Sequence, residues 1–310
     1  MQTNTVSSKD LAVIILARNE KLHIGRAIQS VRNVSSEIYV IDSFSTDGTV
    51  EIARQAGAVV VQHEFVNYAK QFQWALDNLP IKSSWIMRLD ADEVIEPDLA
   101  NEIRAKLLNL PSGVTGINLK RKHIFLGRWI KFGGRYPLIL LRIWRWGEGR
   151  IEDRWMDEHI IIKKGDTVTL NGGFSDHNLN DLTFFTDKHN KYATREAIDV
   201  LNQRLCFLGG DNRMLAGNSP RQAVRKRAIK ERIYNKIPFQ LSALLYFGYR
   251  YVCQFGFLDG KEGLIYHLLQ GFWYRFLVGA KIFELEAQIK HLHRPEEIRA
   301  ELSRLTGLKL

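Results

Sequence analysis

The chain predicts an α/β protein built on a doubly wound, mostly parallel sheet, with a helical segment appended at its C-terminal end. Three observations carry this reading. Apolar runs alternate with amphipathic helix patterns over the first third of the chain. Polar residues recur at the ends of those runs, and the last third turns basic and aromatic-rich. A continuous apolar run is what a parallel strand covered on both faces requires.

Residues 11–17, LAVIILA, form the first such run. Residues 21–32 follow as a helix whose apolar face is Leu22, Ala27, Ile28 and Val31. The second strand spans residues 38–41 and ends at Asp42, and the turn Ser45-Thr46-Asp47-Gly48 caps a helix over residues 49–56. A third strand at 58–61, a third helix at 68–79 and a fourth strand at 84–89 continue the alternation. Glu96-Pro97-Asp98 starts a further helix, proline being suited to a first helical turn. Such βαβα order argues for parallel strands joined by helical crossovers.

At 310 residues the chain is longer than one average domain, so residues 1–218 are read as one domain and residues 219–310 as an appended segment. The net charge of +10 is uneven: residues 1–110 hold 11 Lys+Arg against 14 Asp+Glu, leaving 33 against 20 for the remainder. A basic second part suggests an anionic membrane surface or another polyanion. Cys206 and Cys253 are the only cysteines, which excludes a disulfide scaffold and a zinc cluster. The polar first ten residues lack a signal-peptide pattern, so a cytoplasmic location is expected.

The chemistry concentrates at the strand ends. Trp85-Ile86-Met87-Arg88-Leu89-Asp90-Ala91-Asp92-Glu93 is an apolar run that stops in two aspartates two residues apart and a third carboxylate. Open α/β sheets bind ligands beyond the C-terminal ends of their strands. There Asn19, Asp42, Asp90 and Asp92 converge. Oxygen donors of this kind suit Mg²⁺ or Mn²⁺ shared with a phosphate ligand. No G-x-x-x-x-G-K-[ST] and no G-x-G-x-x-G follows the first strand, which disfavours a P-loop NTPase and a dinucleotide enzyme.

With these residues in place, the first third of the chain resembles the family 2 inverting glycosyltransferases, which have the GT-A fold. The matching stretches are Val13-Ile14-Ile15-Leu16-Ala17-Arg18-Asn19-Glu20, Ile41-Asp42-Ser43-Phe44-Ser45-Thr46-Asp47-Gly48-Thr49 and Arg88-Leu89-Asp90-Ala91-Asp92-Glu93. A narrower likeness to bacterial lipopolysaccharide core and exopolysaccharide glycosyltransferases rests on Asp90-Ala91-Asp92-Glu93, on the stretch from Thr186 to Ala193, and on the stretch from Gly256 to Gly263. The resemblance implies a nucleotide-sugar part over about residues 1–110 and an acceptor and base part over about 111–218. It implies that Asn19, Glu20, Asp42, Arg88, Asp90 and Asp92 bind the donor. Asp92, with Asp90, would hold the Mg²⁺ or Mn²⁺ that bridges the diphosphate, and His177 is a further metal candidate. The general base falls on Glu158 or Asp157 in Arg154-Trp155-Met156-Asp157-Glu158-His159, with Glu158 preferred. This chain has Asp-Glu where many members have Glu-Asp, so both stay in play.

Between these motifs, Trp129, Arg135 and Tyr136 suit a sugar acceptor that carries a phosphate, through ring stacking and charged hydrogen bonds. Arg142 and Arg145 read as one face of a strand, either solvated or functional. Asp176-His177 and Lys188-His189 are possible pyrophosphate contacts. From Ser219 a basic helix runs to Lys236, followed by aromatic-rich helices over residues 239–258 and 263–284. Either they lie on the membrane interface or they pack on the catalytic domain.

The expected function is transfer of a sugar, from UDP-hexose by preference, to a lipid-linked or lipopolysaccharide-type glycan. The expected location is the inner face of the bacterial cytoplasmic membrane. A polyprenyl-phosphate glycosyltransferase is the second enzyme reading. A basic nucleic-acid-binding protein is the reading from another class, and the strand-end carboxylates count against it, so no nucleic-acid partner is expected.

Overall fold

A computed structural model describes residues 10–152, 159–208 and 237–310. Strands β1 (Leu11–Ala17), β2 (Glu37–Asp42), β3 (Val59–Gln62) and β4 (Trp85–Asp90) alternate with helices α1 (Ile24–Val31), α2 (Thr49–Gln55) and α3 (Tyr68–Asn78). They lie in the order β3–β2–β1–β4, every pair parallel. Each expected element is present, with ends shifted by at most three residues and β1 as expected at both ends.

The sheet continues with β5 (Glu93–Ile95) and, after helix α4 (Pro97–Lys106), with β6 (Val114–Phe125), β7 (Arg128–Ile130), β8 (Leu138–Arg145) and β11 (Asp166–His177). Its full order is β3–β2–β1–β4–β8–β6–β11–β5, with β7 on β6. Here the pairing is mixed. β6 and β11 are parallel, while β8 runs antiparallel to both β4 and β6, and β5 runs antiparallel to β11. Strands β9 (Gly149–Ile151) and β10 (Ile160–Ile162) form a separate antiparallel pair.

Two apolar layers sandwich the sheet. Val13, Ile15, Met87, Leu89 and Ile143 pack against α1 and α4 on one face, while Ile14, Ile86 and Trp144 meet Phe72 and Leu76 of α3 on the other. Burial of alternate side chains on opposite faces explains why β1 and β4 read as unbroken apolar runs. Asn67 caps α3 by accepting from the Lys70 N–H at 2.8 Å, and Pro97 sits in the first turn of α4 as its sequence signal requires.

After helix α5 (Leu182–Leu205) the described chain resumes at residue 237. The basic helix expected from Ser219 to Lys236 lies outside the described residues. Helices α6 (Phe239–Gly248), α7 (Gly260–Tyr266), α8 (Tyr274–Ile289) and α9 (Pro295–Thr306) follow, with π-helical turns at Tyr249–Cys253 and His267–Trp273. Leu285 and Ile289 of α8 and Leu302 of α9 pack on Ala197, Ile198 and Leu201 of α5. These helices therefore do pack on the sheet domain. No helix among the described residues is long and apolar enough to cross a membrane.

Candidate active site

The turn after β4 sets the site. Short strand β5 pairs with the end of β11, Glu93 opposite Asp176, and the His177 N–H donates to the Asp92 carbonyl at 3.0 Å. This pins Asp90-Ala91-Asp92 at the sheet edge, where a cavity of about 1320 Å³ is lined by Arg88, Asp90, Asp92, Glu93, Asn178 and Lys188, among others. Single-ligand pockets usually occupy about 300–1,000 Å³, so this one has room for two reactants.

The two aspartates of the pair do different work. Asp90 Oδ1 accepts from the Tyr68 hydroxyl at 2.5 Å and from Arg88 Nε at 3.4 Å, and its Oδ2 lies 3.4 Å from Arg142. Burial alone would raise its pKa, but Arg88, Arg142 and the Tyr68 hydroxyl outweigh it and hold the carboxyl well below the usual range. Asp92 Oδ2 accepts from Asn178 Nδ2 at 3.0 Å and lies 3.8 Å from Lys188 Nζ. Burial lowers the Lys188 pKa, yet Asp92 and its neighbours raise it above the ordinary lysine value, so the ammonium stays charged. Neither aspartate caps α4.

Glu93 and Arg142 form the buried brace beneath the pair. Arg142 Nη2 donates to Glu93 Oε1 at 2.6 Å, and Glu93 Oε2 accepts from the Asp90 N–H at 2.9 Å. Burial pushes the Glu93 carboxyl up, to about 8, against the opposing charge of Arg142. Arg142 reaches this position through an irregularity in register: Ile117 faces Ile143 and Asn118 faces Leu141, so Arg142 is an extra residue on β8. A bulge of this kind re-aims a side chain beside a site. Arg145 lies over the Trp85 ring at 4.4 Å and donates to the Val114 carbonyl. Neither arginine belongs to a solvated face.

Asp176 accepts from His123 at 3.0 Å and meets Arg121 at 3.5 Å. Burial would raise its pKa, but His123, Arg121 and Lys188 keep it ionised. His177 turns its ring toward Arg26, 3.5 Å away, and burial with the Arg26 charge lowers its pKa. Among the described residues no group of three or more His, Cys, Asp or Glu side chains forms a metal cage. The ring of His177, the further metal candidate, faces Arg26. The donor chemistry fits a metal at Asp92 in another way. Mg²⁺ is usually held by one or two carboxylates together with substrate phosphates and water. Asp92 has the oxygen chemistry for this, whereas both Asp90 oxygens already face hydroxyl or guanidinium donors.

Asp42 is fully buried at the end of β2. Its Oδ2 accepts from the Ser45 N–H and from Gln62, while Oδ1 has no hydrogen-bond partner. Asn19 instead staples two loops: its N–H donates to Ser45 Oγ at 2.8 Å, and its Oδ1 accepts from the Thr46 N–H at 2.9 Å. The Glu20 N–H donates to Thr49 Oγ1, and its carboxylate meets His23 at 2.6 Å. These contacts shape the edge above β1 and β2.

Asp157 and Glu158 lie outside the described residues. His159 and Ile160, directly after them, line the cavity. Of the acceptor candidates, Arg135 and Tyr136 line it too, and Trp129 packs edge-on to Tyr136 with ring centroids 4.9 Å apart. Their loop is clasped by the C-terminal helices. Buried Asp259 accepts from the Lys131 and Phe132 N–H groups, Gln254 accepts from the Gly133 N–H, and Arg250 donates to the Gly133 carbonyl. Gly133 has φ +66°, and a Cβ there would lie 2.1 Å from His267. The motif from Gly256 to Gly263 supplies Asp259 to this clasp. Sequence reading passed over Tyr68, Glu93's brace and Arg250; Arg142 carried a signal, an arginine inside an apolar strand, that left its role open.

Residues 12–162 match Glycosyl transferase family 2. An uncharacterized glycosyltransferase of Rickettsia bellii is 41% identical over 96 residues, 31% of this chain and 32% of that protein. The match thus spans about a third of that relative's length, and the other Rickettsia relatives are similar in this respect. The lipopolysaccharide core biosynthesis glycosyltransferase LpsC of Rhizobium meliloti is 26% identical over 284 residues, 89% of this chain and 93% of that protein. Among solved structures, glucosyl-3-phosphoglycerate synthase from Mycobacterium tuberculosis, in complex with Mn²⁺, UDP and its product, is 23% identical over 36% of this chain and 43% of that one, with a TM-score of 0.30. In its sheet order and strand-end carboxylates the chain has a GT-A-like fold, and residues 12–162 are similar to Glycosyl transferase family 2.

Proposed function

We propose that the protein is a metal-dependent inverting glycosyltransferase that moves a hexose from a nucleotide-sugar to a lipid-linked or lipopolysaccharide-type glycan. The observation that carries this is the division of labour after β4: Asp90 is bound into a cation network, and Asp92 faces the cavity beside Lys188. Asp92 would hold a divalent cation together with the donor diphosphate, where such a cation would supply charge neutralisation for the leaving group. Lys188 adds a fixed positive charge for the same group. Asp42 Oδ1, buried and unpartnered, would accept the imide N–H of a uracil base, which supports UDP as the nucleotide.

In the transfer step the acceptor hydroxyl attacks the anomeric carbon as the bond to the diphosphate breaks. Glu158, or Asp157 beside it, takes the hydroxyl proton. The lining positions of His159 and Ile160 support a base at this point of the chain. The likeness to LpsC over most of both chains supports a lipopolysaccharide-type acceptor.

The C-terminal helices support a peripheral place at an anionic membrane. Leu244, Leu245, Tyr249, Val252 and Phe255 are each more than half exposed, close together in the chain. Grouped apolar exposure of this kind marks an interaction surface. A screen of UDP-, GDP- and dTDP-sugars for binding and slow hydrolysis, with Mn²⁺ or Mg²⁺ and with chelator, tests the donor reading. Metal-dependent turnover of a UDP-sugar is expected, and turnover indifferent to chelator would refute it.

A further inference from the structure

We propose that Arg135, Arg250 and Arg275, gathered around Tyr246 and Tyr266, form a phosphate-binding site that receives an anionic group of the acceptor. This rests on the glycosyltransferase reading and names the acceptor's chemistry: a glycan or lipid that presents a phosphate close to the hydroxyl to be glycosylated.

All five residues line the large cavity. The Arg275 guanidinium lies 3.7 Å from the Tyr246 ring centroid, and that of Arg250 lies 5.5 Å from the same ring. Arg250 is also 5.8 Å, and Arg135 5.3 Å, from the Tyr266 ring. Three cations thus share two aromatic platforms. Arg250 is only 4% exposed and Tyr266 1%, yet Arg250 Nη2 and the Tyr266 hydroxyl have no hydrogen-bond partner, and neither has Arg135 Nε. Among the described residues no ion pair joins Arg135 or Arg250 to a carboxylate.

Buried donors without partners are costly, and a cation buried without a counter-ion more so. Two carboxylates that line the cavity are engaged elsewhere: Glu196 accepts from the Tyr274 hydroxyl and Glu286 from Arg204. The local field is strongly positive. Burial would raise the Tyr246 pKa, but Arg250, Arg275 and Arg135 pull it down to about 8. Planar guanidinium forks suit a tetrahedral oxyanion with several acceptor oxygens. The cluster is separate from the donor turn but adjoins it. Tyr266 packs on His123 with ring centroids 4.8 Å apart, and His123 meets Asp176, the partner of Glu93 across β11 and β5.

The test is ³¹P NMR titration of the full chain with inorganic phosphate and with glucose 6-phosphate, alongside calorimetric titration with UDP and Mn²⁺. Wild type should bind both phosphates saturably. Arg250→Gln and Arg135→Gln, on different elements, should each weaken this about tenfold while leaving UDP binding unchanged. Arg250→Lys should recover part of the loss. Unaltered melting temperature identifies the variants that can be read, and Arg135→Gln does not disturb the Arg250 bond to Gly133. Phosphatidic acid vesicles that displace phosphate would assign the anion to a lipid, and displacement by glucose 6-phosphate alone would assign it to a glycan. Phosphate binding that survives both glutamine variants and disappears in Asp92→Ala would overturn the inference, the anion then sitting in the donor site. Phosphate binding through Arg250 with no UDP binding at all would instead refute the donor reading and leave this site standing.

Discussion

The sheet wall and the helical wall of the cavity hold their charges in contrasting ways. At the sheet edge four cations near the donor turn have acidic partners: Arg142 has Glu93 and Asp90, Arg88 has Asp90, Arg121 has Asp176, and Lys188 has Asp92. On the helical wall Arg135 and Arg250 face aromatic rings, and among the described residues neither forms an ion pair with a carboxylate. A balanced wall is rigid before substrate arrives, and it needs an added cation to attract a diphosphate. An unbalanced wall already attracts an anion. On the proposed function, the donor would lie against the first wall and the acceptor against the second.

The largest effect expected from breaking the sheet wall is loss of turnover in Asp92→Ala, by a factor on the order of 10²–10³. The melting temperature should move little, because Asp92 makes one side-chain hydrogen bond, to Asn178, and a long contact to Lys188. Steady-state rates and thermal melts check both halves of this. Glu158→Ala and Asp157→Ala should spare donor binding, and one of them should abolish transfer to the acceptor. Full turnover in both would remove the base from that pair. Asp90→Ala differs from its neighbour by failing in stability as well. It strips a half-buried carboxylate from Tyr68, Arg88 and Arg142, at about 1–2 kcal/mol, readable by urea unfolding.

On the helical wall the effects are smaller. Asp259→Ala leaves the Lys131 and Phe132 N–H groups unpaired and should cost about 2 kcal/mol. It should raise the KM for acceptor more than that for donor, since it loosens the loop that carries Arg135. Leu244→Ser with Val252→Ser should reduce co-flotation with anionic vesicles severalfold and leave hydrolysis of a soluble donor unaltered. Flotation unchanged by the pair would move the membrane contact elsewhere.

The parallel half of the fold was legible because each of its strands is a local apolar run bounded by turn residues. The strand-end carboxylates were legible for the same reason, since strand direction fixes which edge they occupy. What lay beyond local pattern depended on long-range pairing. Arg142 reaches Asp90 only through the offset of β8 against β6, which no window of sequence contains. Tyr68 looked like the start of a helix, which it is, and its hydroxyl finds Asp90 only once α3 packs on the sheet. Arg250 and Arg275 sit in aromatic-rich helices whose two π-helical turns break the regular period, so the cavity-facing side could not be read from spacing.

Calorimetric titration of the full chain with UDP, in Mn²⁺ and then in excess chelator, tests the central claim most directly when repeated with Asp92→Ala. Saturable binding in Mn²⁺ that chelator and the alanine variant each abolish is the predicted result. Equal UDP affinity in all three conditions would contradict a cation shared between Asp92 and the donor diphosphate.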